Sequence, residues 1–494
     1  MAGRYRRFLR QRYATILRYV GLIGLIGGGV LLLPLLALLV YPEEGHLAWG
    51  FLLPGSLAVV GGYGLWKRPQ HLTPDPLTLS EGSVIVVLGW LVAIALSTLP
   101  YLLLHQLTFT QAWFESTSGW TTTGLSVVQV EQTPHLLLLL RSVTQVFGGA
   151  GFAIIAVGAI AASTGPGITT AEGRGEQLVP NVRQSAKLVL TMYSSYIALG
   201  MVALRFAGMN WFDAVNHAFA ALSTGGFSTQ TASIGYWDNA AVELVTMALM
   251  LCGSFNFLTV YLLVQGRFRS FWRNSELRLQ LWLSGLGIVI LFLGVARGLY
   301  QPWTKALRVS LFETVTALST TGFTTVDYAL WNGLGWWLLI GLMIIGGGAG
   351  STAGGIKLLR LVVLLKSLGW DINRRGLPLG THTEPKLWRG DRQRFISLED
   401  ISRTSLLLLT YLLMLVLSTG ILTAYGYPLQ ASLFECVSSL STVGLSAGIT
   451  SPDAPTAVLW TEIVAMILGR LEFFTVIVGS LRLVRDVLAL LSRS

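Results

Sequence analysis

Phe312-Glu-Thr-Val-Thr-Ala-Leu-Ser-Thr-Thr-Gly322 decides how this chain is read, because versions of it recur four times. Phe114-Glu-Ser-Thr-Ser-Gly-Trp-Thr-Thr-Thr-Gly124 and Phe434-Glu-Cys-Val-Ser-Ser-Leu-Ser-Thr-Val-Gly444 share its frame. Phe and Glu stand ten and nine residues ahead of a Gly, and Thr-X stands directly before it. Asn216-His-Ala-Phe-Ala-Ala-Leu-Ser-Thr-Gly-Gly226 keeps the Ser-Thr-X-Gly end, with Asn216-His217 in place of Phe-Glu. The closing glycines are 102, 96 and 122 residues apart (124 to 226, 226 to 322, 322 to 444). One Ser-Thr-X-Gly could be small-residue packing between membrane helices. Four in register, three with Phe-Glu at one offset, mark an internal repeat.

The surrounding chain is apolar. Of 494 residues, 53% are hydrophobic and 12% charged, about half the charged share of a soluble domain. Lipid is the expected solvent. Spanning a bilayer takes about 20 apolar residues, and such runs lie near 16–41, 48–66, 82–104, 135–163, 187–208, 240–266, 279–300, 333–365, 404–426 and 456–482. The sequence therefore predicts ten spans. The Arg-rich start runs into an apolar stretch past residue 40, too long for a signal peptide.

The net charge of +10 is carried in short segments between the apolar runs. That is the topogenic pattern of a membrane protein and argues against nucleic acid as partner. Arg4, Arg6, Arg7, Arg10 and Arg12 precede the first span, and Lys67 and Arg68 follow the second. Arg174, Arg183 and Lys187 flank the loop after the fourth, and Arg267, Arg269, Arg273 and Arg278 follow the sixth. Lys366, Arg374, Arg375, Lys386, Arg389, Arg392 and Arg394 follow the eighth, and Arg482 and Arg485 close the last. The intervening outer segments hold few basic residues, Lys305 and Arg308 excepted. Both termini are expected on the cytoplasmic side. The polar stretch 367–403 reads as a cytoplasmic loop, either a docking surface or a solvated linker. Cys252 and Cys436 lie in apolar surroundings and read as small core residues, not as a disulfide or metal site.

Each repeated Gly falls between an outward and an inward span, so the unit is helix, re-entrant segment, helix. All copies share one orientation, unlike the inverted repeats of many secondary transporters, and four parallel copies suit a ring. The expected fold is an all-α polytopic membrane protein. Four pseudo-symmetric helix–pore-loop–helix repeats surround one pore, and two extra N-terminal transmembrane helices precede them. The divisions are 1–70 for the extension and 71–175, 176–275, 276–395 and 396–494 for the four repeats.

Irregular backbone at membrane depth is tolerated where it lines a watery cavity or is buried in protein. The Thr-X-Gly ends fit that role: Thr122, Thr123, Gly124; Thr224, Gly225, Gly226; Thr320, Thr321, Gly322; Thr442, Val443, Gly444. Glycine permits backbone angles that aim carbonyls at an axis, and rings of carbonyls can replace the hydration shell of a cation. A short helix ending at each segment would point its negative end at the axis.

Two gate candidates follow. Gly346-Gly-Gly-Ala-Gly-Ser-Thr-Ala-Gly-Gly355, followed by Ile356 and Lys357, interrupts the eighth span. Each Gly costs a helix up to about 1 kcal/mol, so Gly346, Gly347, Gly348, Gly350, Ser351, Thr352, Gly354, Gly355 and Lys357 should form a broken helix with a flexible loop. The alternative is close helix packing. A phosphate-binding loop is disfavoured, since no strand precedes these glycines. Arg470 lies deep in the last span, where a charge needs a partner or water. It reads as a barrier to cations in a vestibule or as half of an interhelical ion pair, and Glu472 could pair with another helix.

Among the remaining polar residues, Glu115, Glu313 and Glu435 read as caps and interhelical hydrogen-bonding groups at the starts of short helices, or as an acidic ring at the outer mouth. Asp213, Asp238, Asp327 and Asp453 could add to that field. His217 reads as a hydrogen-bonded core residue. The sequence holds no HExxH cluster, and the formal GxSxG at 444–448 lacks a strand-to-helix setting, so an enzyme is not expected. A proton- or sodium-coupled secondary cation transporter remains the rival, with Glu243, Glu462 and Glu472 as the few acids able to couple ions.

These residues together resemble the membrane subunit of Trk/Ktr-type potassium uptake systems, over nearly the whole chain. The two extra N-terminal spans are more similar to the Trk branch. The resemblance implies that Gly124, Gly226, Gly322 and Gly444 form a potassium filter, and that a Ser at the first position would mark a sodium-preferring relative. It implies that the 346–355 loop blocks the pore and moves on activation, with Arg470 beside it. It further implies potassium as cargo with no cofactor in this chain, and a homodimer with one pore per protomer. A cytoplasmic nucleotide-binding regulatory ring (TrkA/KtrA-like) would dock on the basic loops, in a bacterial cytoplasmic (inner) membrane. Gated channel and ion-coupled symporter both remain open.

Overall fold

The computed structural model describes residues 2–67, 78–150, 182–376, 378, 384–389 and 392–491. Residues 151–163 of the expected fourth span, Arg68, Arg174 and the divisions set near 70 and 175 lie outside the described residues.

Helix α1 (Ala2–Leu32) and helix α2 (Trp49–Trp66) pack on each other and on α3 (Leu79–Leu103). From α3 onward one pattern recurs. A long helix is followed by a short one, an irregular segment and a return helix. The first unit is α3, α4 (Phe109–Trp120) and α5 (His135–Ala150). The second is α6 (Val182–Ala207), α7 (Trp211–Leu222), α8 (Ala240–Ser254) and α9 (Phe257–Val264), with the short α10 (Phe268–Arg273) leading out of it. The third is α11 (Ser275–Leu291, continued through a π turn), α12 (Trp303–Ser319), α13 (Gly333–Ile345) and α14 (Leu358–Arg374). The fourth is α15 (Leu398–Ala424), α16 (Leu429–Leu440), α17 (Thr456–Leu471) and α18 (Phe473–Leu491).

Local chemistry sets where the short helices begin. Thr108 and Gln111 form a capping box before α4, and Asn210 accepts from the Asp213 N–H before α7. Pro302 and Pro428 stand just ahead of α12 and α16, where the residue before a proline is biased away from helix. Each return helix then packs against the short helix of the next unit: α5 on α7, α8 on α12, α13 on α16, and α17 back on α4. The four units thus close into a ring. Outside it, Leu199, Phe206, Val264, Trp282, Leu293, Val416 and Leu417 are exposed on the long helices, the surface expected to meet lipid.

Two expectations need correction. Ten spans were expected, the eighth of them broken at its glycines, but the described residues hold five helices long and apolar enough to cross a membrane. A sixth counts if α17 and α18, bent by 106° at Glu472, are one span. The expected spans 240–266 and 456–482 break between Ser254 and Phe257 and at Glu472, while the break expected in 333–365 lies between Ile345 and Leu358. Positive φ at Gly346 and Glu472 ends helix there, and Lys357, also at positive φ, stands just before α14. The freed backbone groups find partners in one another, as burial in protein allows: Gly348 N–H donates to Ser254 O and Ile356 N–H to Ile344 O. Second, the polar stretch 367–403 is not only a loop. Helix α14 runs to Arg374, and strands β1 (Lys386–Arg389) and β2 (Arg392–Phe395) form an antiparallel hairpin. Leu387 and Ile396 bury against Val362 and Val363 of α14.

Lys305 and Arg308, the exceptions to the charge rule, are bound by outer acids. Lys305 pairs with Asp238 at 2.9 Å, and Arg308 with Asp238 at 3.1 Å and Glu243 at 2.5 Å.

Candidate functional site

Each short helix ends the same way. Thr122, Thr224, Thr320 and Thr442 adopt left-handed backbone, with φ of 54°, 51°, 55° and 50°. The next N–H donates back five residues, Thr123 to Ser118 O, Gly225 to Ala220 O, Thr321 to Thr316 O and Val443 to Ser438 O, which is the hydrogen bond of a Schellman ending. That conformation costs a β-branched residue about 1–3 kcal/mol. Four equivalent threonines held in it mark a site whose surroundings over-determine its shape.

The glycines that follow touch one another's units in cyclic order. A Cβ placed on Gly124 would lie 2.3 Å from Gly225 O, on Gly226 2.1 Å from Thr321 O, on Gly322 2.0 Å from Val443 O, and on Gly444 2.1 Å from Thr123 O. A side chain at any of the four would force the neighbouring backbone to shift. Every Thr-X-Gly residue singled out from the sequence is thus brought to one place. On its outer side lies a cavity of about 520 Å³, lined by the four glycines and by Ser126, Ser228, Thr324 and Ser446. These hydroxyls stand two residues after each Gly. The repeat therefore extends past the Gly, and comparing those positions would have shown it.

Glu115, Glu313 and Glu435 do not cap helix starts, although Glu115 makes the expected interhelical hydrogen bond, to Arg141 of α5. They lie well inside helices that begin at Phe109, Trp303 and Leu429, and they hold the chain that emerges after the Gly. Glu115 accepts from Ser126 Oγ and Val127 N–H at 3.0 and 3.1 Å. Glu313 accepts from Thr325 N–H at 2.8 Å and Tyr328 OH at 2.5 Å. Glu435 accepts from Ser446 Oγ at 2.7 Å and Ala447 N–H at 2.6 Å. All three are buried, so the acidic-mouth alternative does not describe them. His217, also buried, bonds Asp213 O at 2.8 Å and Ser228 Oγ at 2.9 Å, as a hydrogen-bonded core residue should.

Of the outer aspartates, Asp213 is buried and accepts from Thr229 Oγ1 at 2.5 Å. The Lys305 ammonium bound to Asp238 holds its carboxyl below the usual range. Asp327 lines the cavity.

Two side chains that sequence reasoning missed reach the ring from α5. Arg141 pairs with Glu115 at 2.7 Å and donates to Ser228 O at 3.0 Å. Gln145 donates to Gly225 O at 2.5 Å. Both are buried. An Arg and a Gln one turn apart in His135-Leu-Leu-Leu-Leu-Leu-Arg-Ser-Val-Thr-Gln145 were the available signal, since polar groups inside a span are functional candidates.

Beneath the threonines, residues 346–357 form an irregular loop. Gly354 N–H donates to Thr320 Oγ1 at 2.8 Å, and Gly355 N–H to Ser441 O at 3.1 Å. Thr352 Oγ1 donates to Gly253 O at 2.9 Å and lies 3.1 Å from Thr224 Oγ1. Ser351 Oγ donates to Gly348 O at 2.6 Å, and Ala349 N–H to Glu276 Oε1 at 3.2 Å. Gly346 lies against Gly354 O, Gly347 against the Ala353 methyl, and Gly350 O accepts from Phe257 N–H at 3.3 Å. Arg470 donates to Thr352 O and to Gly148 O, each at 2.6 Å, so both gate candidates meet. The interhelical pair at this level runs through Glu472, which accepts from Arg360 at 2.5 Å and lies 3.6 Å from Lys357.

A helical membrane chain whose re-entrant segments close in a ring between an outer cavity and an inner loop is built as a transport protein. The chain belongs to the TrkH family of cation transport proteins, whose family model matches residues 56–484, and the family is one of transporters, not enzymes. It is 31% identical over 490 residues to the Trk system potassium uptake protein TrkH of Escherichia coli (strain K12), covering 95% of this chain and 98% of that one. It is 31% identical over 489 residues to the TrkH of Halomonas elongata, covering 94% and 97%. The crystal structure of the potassium transporter TrkH from Vibrio parahaemolyticus superposes with a TM-score of 0.82 at 28% identity, over 94% of this chain and 98% of that one.

Proposed function

We propose that this chain takes up potassium, the ion passing along the axis of the ring formed by its four Thr-X-Gly segments. The observation that carries this reading is the cyclic contact of Gly124, Gly226, Gly322 and Gly444 with the backbone of their neighbours. A backbone ring offers carbonyl oxygen in place of water, and the helix ends that feed it favour a cation. Thr122, Thr123, Thr224, Gly225, Thr320, Thr321, Thr442 and Val443 complete the filter.

The loop Gly346–Lys357 and Arg470 form the gate. The loop's bonds to Thr320 Oγ1 and Ser441 O seat it directly below the filter, and the Arg470 guanidinium adds a positive charge at that level. Opening requires Gly354 to leave Thr320, Gly355 to leave Ser441 and Arg470 to release Thr352.

Around this core the four repeats keep the divisions 71–175, 176–275, 276–395 and 396–494, with 1–70 as the extension. The protein resides in the bacterial cytoplasmic membrane with both termini inside. It works as a homodimer and carries a TrkA/KtrA-like nucleotide-binding ring on its basic cytoplasmic face. Proton or sodium coupling is favoured by one observation only. Glu435 and Glu462, both buried, share the Thr450 hydroxyl, at 2.5 and 3.1 Å, whereas Glu243 and Glu472 are committed to Arg308 and Arg360.

Potassium and sodium flux into proteoliposomes tests the reading. Potassium flux well above sodium flux supports it. Flux of neither ion, in wild type and in Arg470→Ala alike, contradicts it.

A further inference from the structure

The four filter segments differ at the residue between Thr and Gly. Thr123, Thr321 and Val443 carry buried side chains, and Gly225 carries none. Thr123 Oγ1 bonds Thr121 Oγ1, and Thr321 Oγ1 bonds Ser319 Oγ, each at 2.7 Å, so these side chains fasten their own strands. The space a side chain would take at Gly225 is filled from another helix. A Cβ there would lie 2.4 Å from Gln145 Cδ, 2.5 Å from Oε1 and 2.7 Å from Nε2.

Both ends of that carboxamide are used. Nε2 donates to Gly225 O at 2.5 Å, and Oε1 accepts from Phe227 N–H at 3.3 Å. A flipped amide would set oxygen against oxygen and N–H against N–H, so the two bonds fix its orientation. One turn earlier, Arg141 donates to Ser228 O at 3.0 Å and lies 4.0 Å over the Phe227 ring.

The second unit is also the one with His217 where the others have Glu. Glu115, Glu313 and Glu435 each accept a backbone N–H from the chain after their Gly, whereas His217 bonds the Ser228 hydroxyl. The backbone hold on this strand comes from α5 instead. The matching place on other return helices can be located, because Gly148, Gly253 and Gly469 each press against the carbonyl four residues before their filter Gly. Three residues ahead of them stand Gln145, Met250 and Met466, and the two methionines are fully buried.

We infer that Gln145 is a specificity-determining positioning residue, whose carboxamide replaces the side chain missing at Gly225 and sets that carbonyl for potassium over sodium. The inference rests on the ring being the filter. A carbonyl shifted by a few tenths of an ångström changes the fit to two ions that differ in size, so the discrimination ratio, not total flux, is the sensitive readout.

The test measures the potassium-to-sodium flux ratio in proteoliposomes for Gln145→Met, Gln145→Glu, Gln145→Ala, Gln145→Ala with Gly225→Thr, and Gly124→Ser. Met is what the fold accepts at the matching positions, and an ionised Glu keeps the shape while losing the donor. If Gln145→Met fails to assemble, Gln145→Glu carries the test. The loss of one buried hydrogen bond should lower the ratio by roughly three- to tenfold in the variants that fold and conduct potassium. Gly225 is outside the left-handed region and can take a side chain, so Gly225→Thr should restore most of the ratio lost in Gln145→Ala. Folded Met and Glu variants with the wild-type ratio, or a double variant no better than Gln145→Ala, overturn the inference. If Gly124→Ser collapses the ratio while the Gln145 variants keep it, this inference alone fails. If Gly124→Ser keeps it too, the filter reading fails and takes this one with it.

Discussion

Arg470 Nη1 donates to the Thr352 carbonyl at 2.6 Å, joining the last return helix to the loop beneath the ring of Thr-X-Gly segments. The other guanidinium nitrogen binds Gly148 O of the first unit at 2.6 Å. One side chain therefore bridges the first, third and fourth units and clamps the loop between them.

Removing that clamp should free the loop. Hydrogen bonds from a charged group contribute about 1.5–3 kcal/mol each, so Arg470→Ala should raise potassium flux by roughly tenfold or more. The potassium-to-sodium ratio should hold, because the ring above is untouched. Flux into proteoliposomes, read for both ions, checks the two parts separately.

Gly354 gives a second, steric route to the same state. A Cβ there would lie 2.1 Å from Ser441 O and 2.2 Å from Thr442 Oγ1. Backbone on one side cannot yield cheaply, so the loop must move. Gly354→Ala should raise flux like Arg470→Ala, and a wild-type flux from a folded variant would contradict the placement of the loop.

How much of this was legible in the sequence follows from what sequence patterns record. The Thr-X-Gly segments were found because each repeats the same local chemistry, a short helix that must end and a glycine that must admit a neighbour's backbone. The proposed gate residues stood out because glycines and a charge are improbable inside a span. The breaks at Ser254–Phe257 and Glu472 were missed, since hydropathy sees composition and not direction, and LeuGlyArgLeuGluPhePhe reads equally well straight or bent. Glu115, Glu313 and Glu435 were assigned to helix starts because Phe-Glu looked like a beginning, although those helices start five or more residues earlier. Gln145 and Arg141 were passed over because their partners in the second unit lie some 80 residues away, and a single chain carries no sign of that distance.

Glu472 and Arg360, 2.5 Å apart, join the bend of the last span to the first turns of α14 below the loop. Residues acting through one contact are not additive. Glu472→Gln and Arg360→Leu should each raise potassium flux, and the double variant should exceed the larger single effect by little. Independent, multiplying effects in a double-mutant cycle would show that this pair does not help seat the loop.

Arg141 and Glu115 form a buried pair at 2.7 Å. Breaking such a pair from one side leaves a buried charge and costs about 3–5 kcal/mol. Arg141→Leu should lower the thermal unfolding midpoint of the purified protein markedly. Arg375→Leu, which breaks an exposed pair with Asp371, should shift it little, because exposed pairs contribute about 0–1 kcal/mol.

The central claim is that the four glycines form one potassium filter, and Gly124→Ser tests it most directly. The substitution places a side chain 2.3 Å from Gly225 O in a left-handed backbone, at one of four equivalent contacts. Potassium and sodium flux should be measured side by side in proteoliposomes for wild type and this variant. A potassium preference in wild type that falls by roughly tenfold or more in the variant is the expected result. An unchanged preference in a folded Gly124→Ser protein would contradict the account.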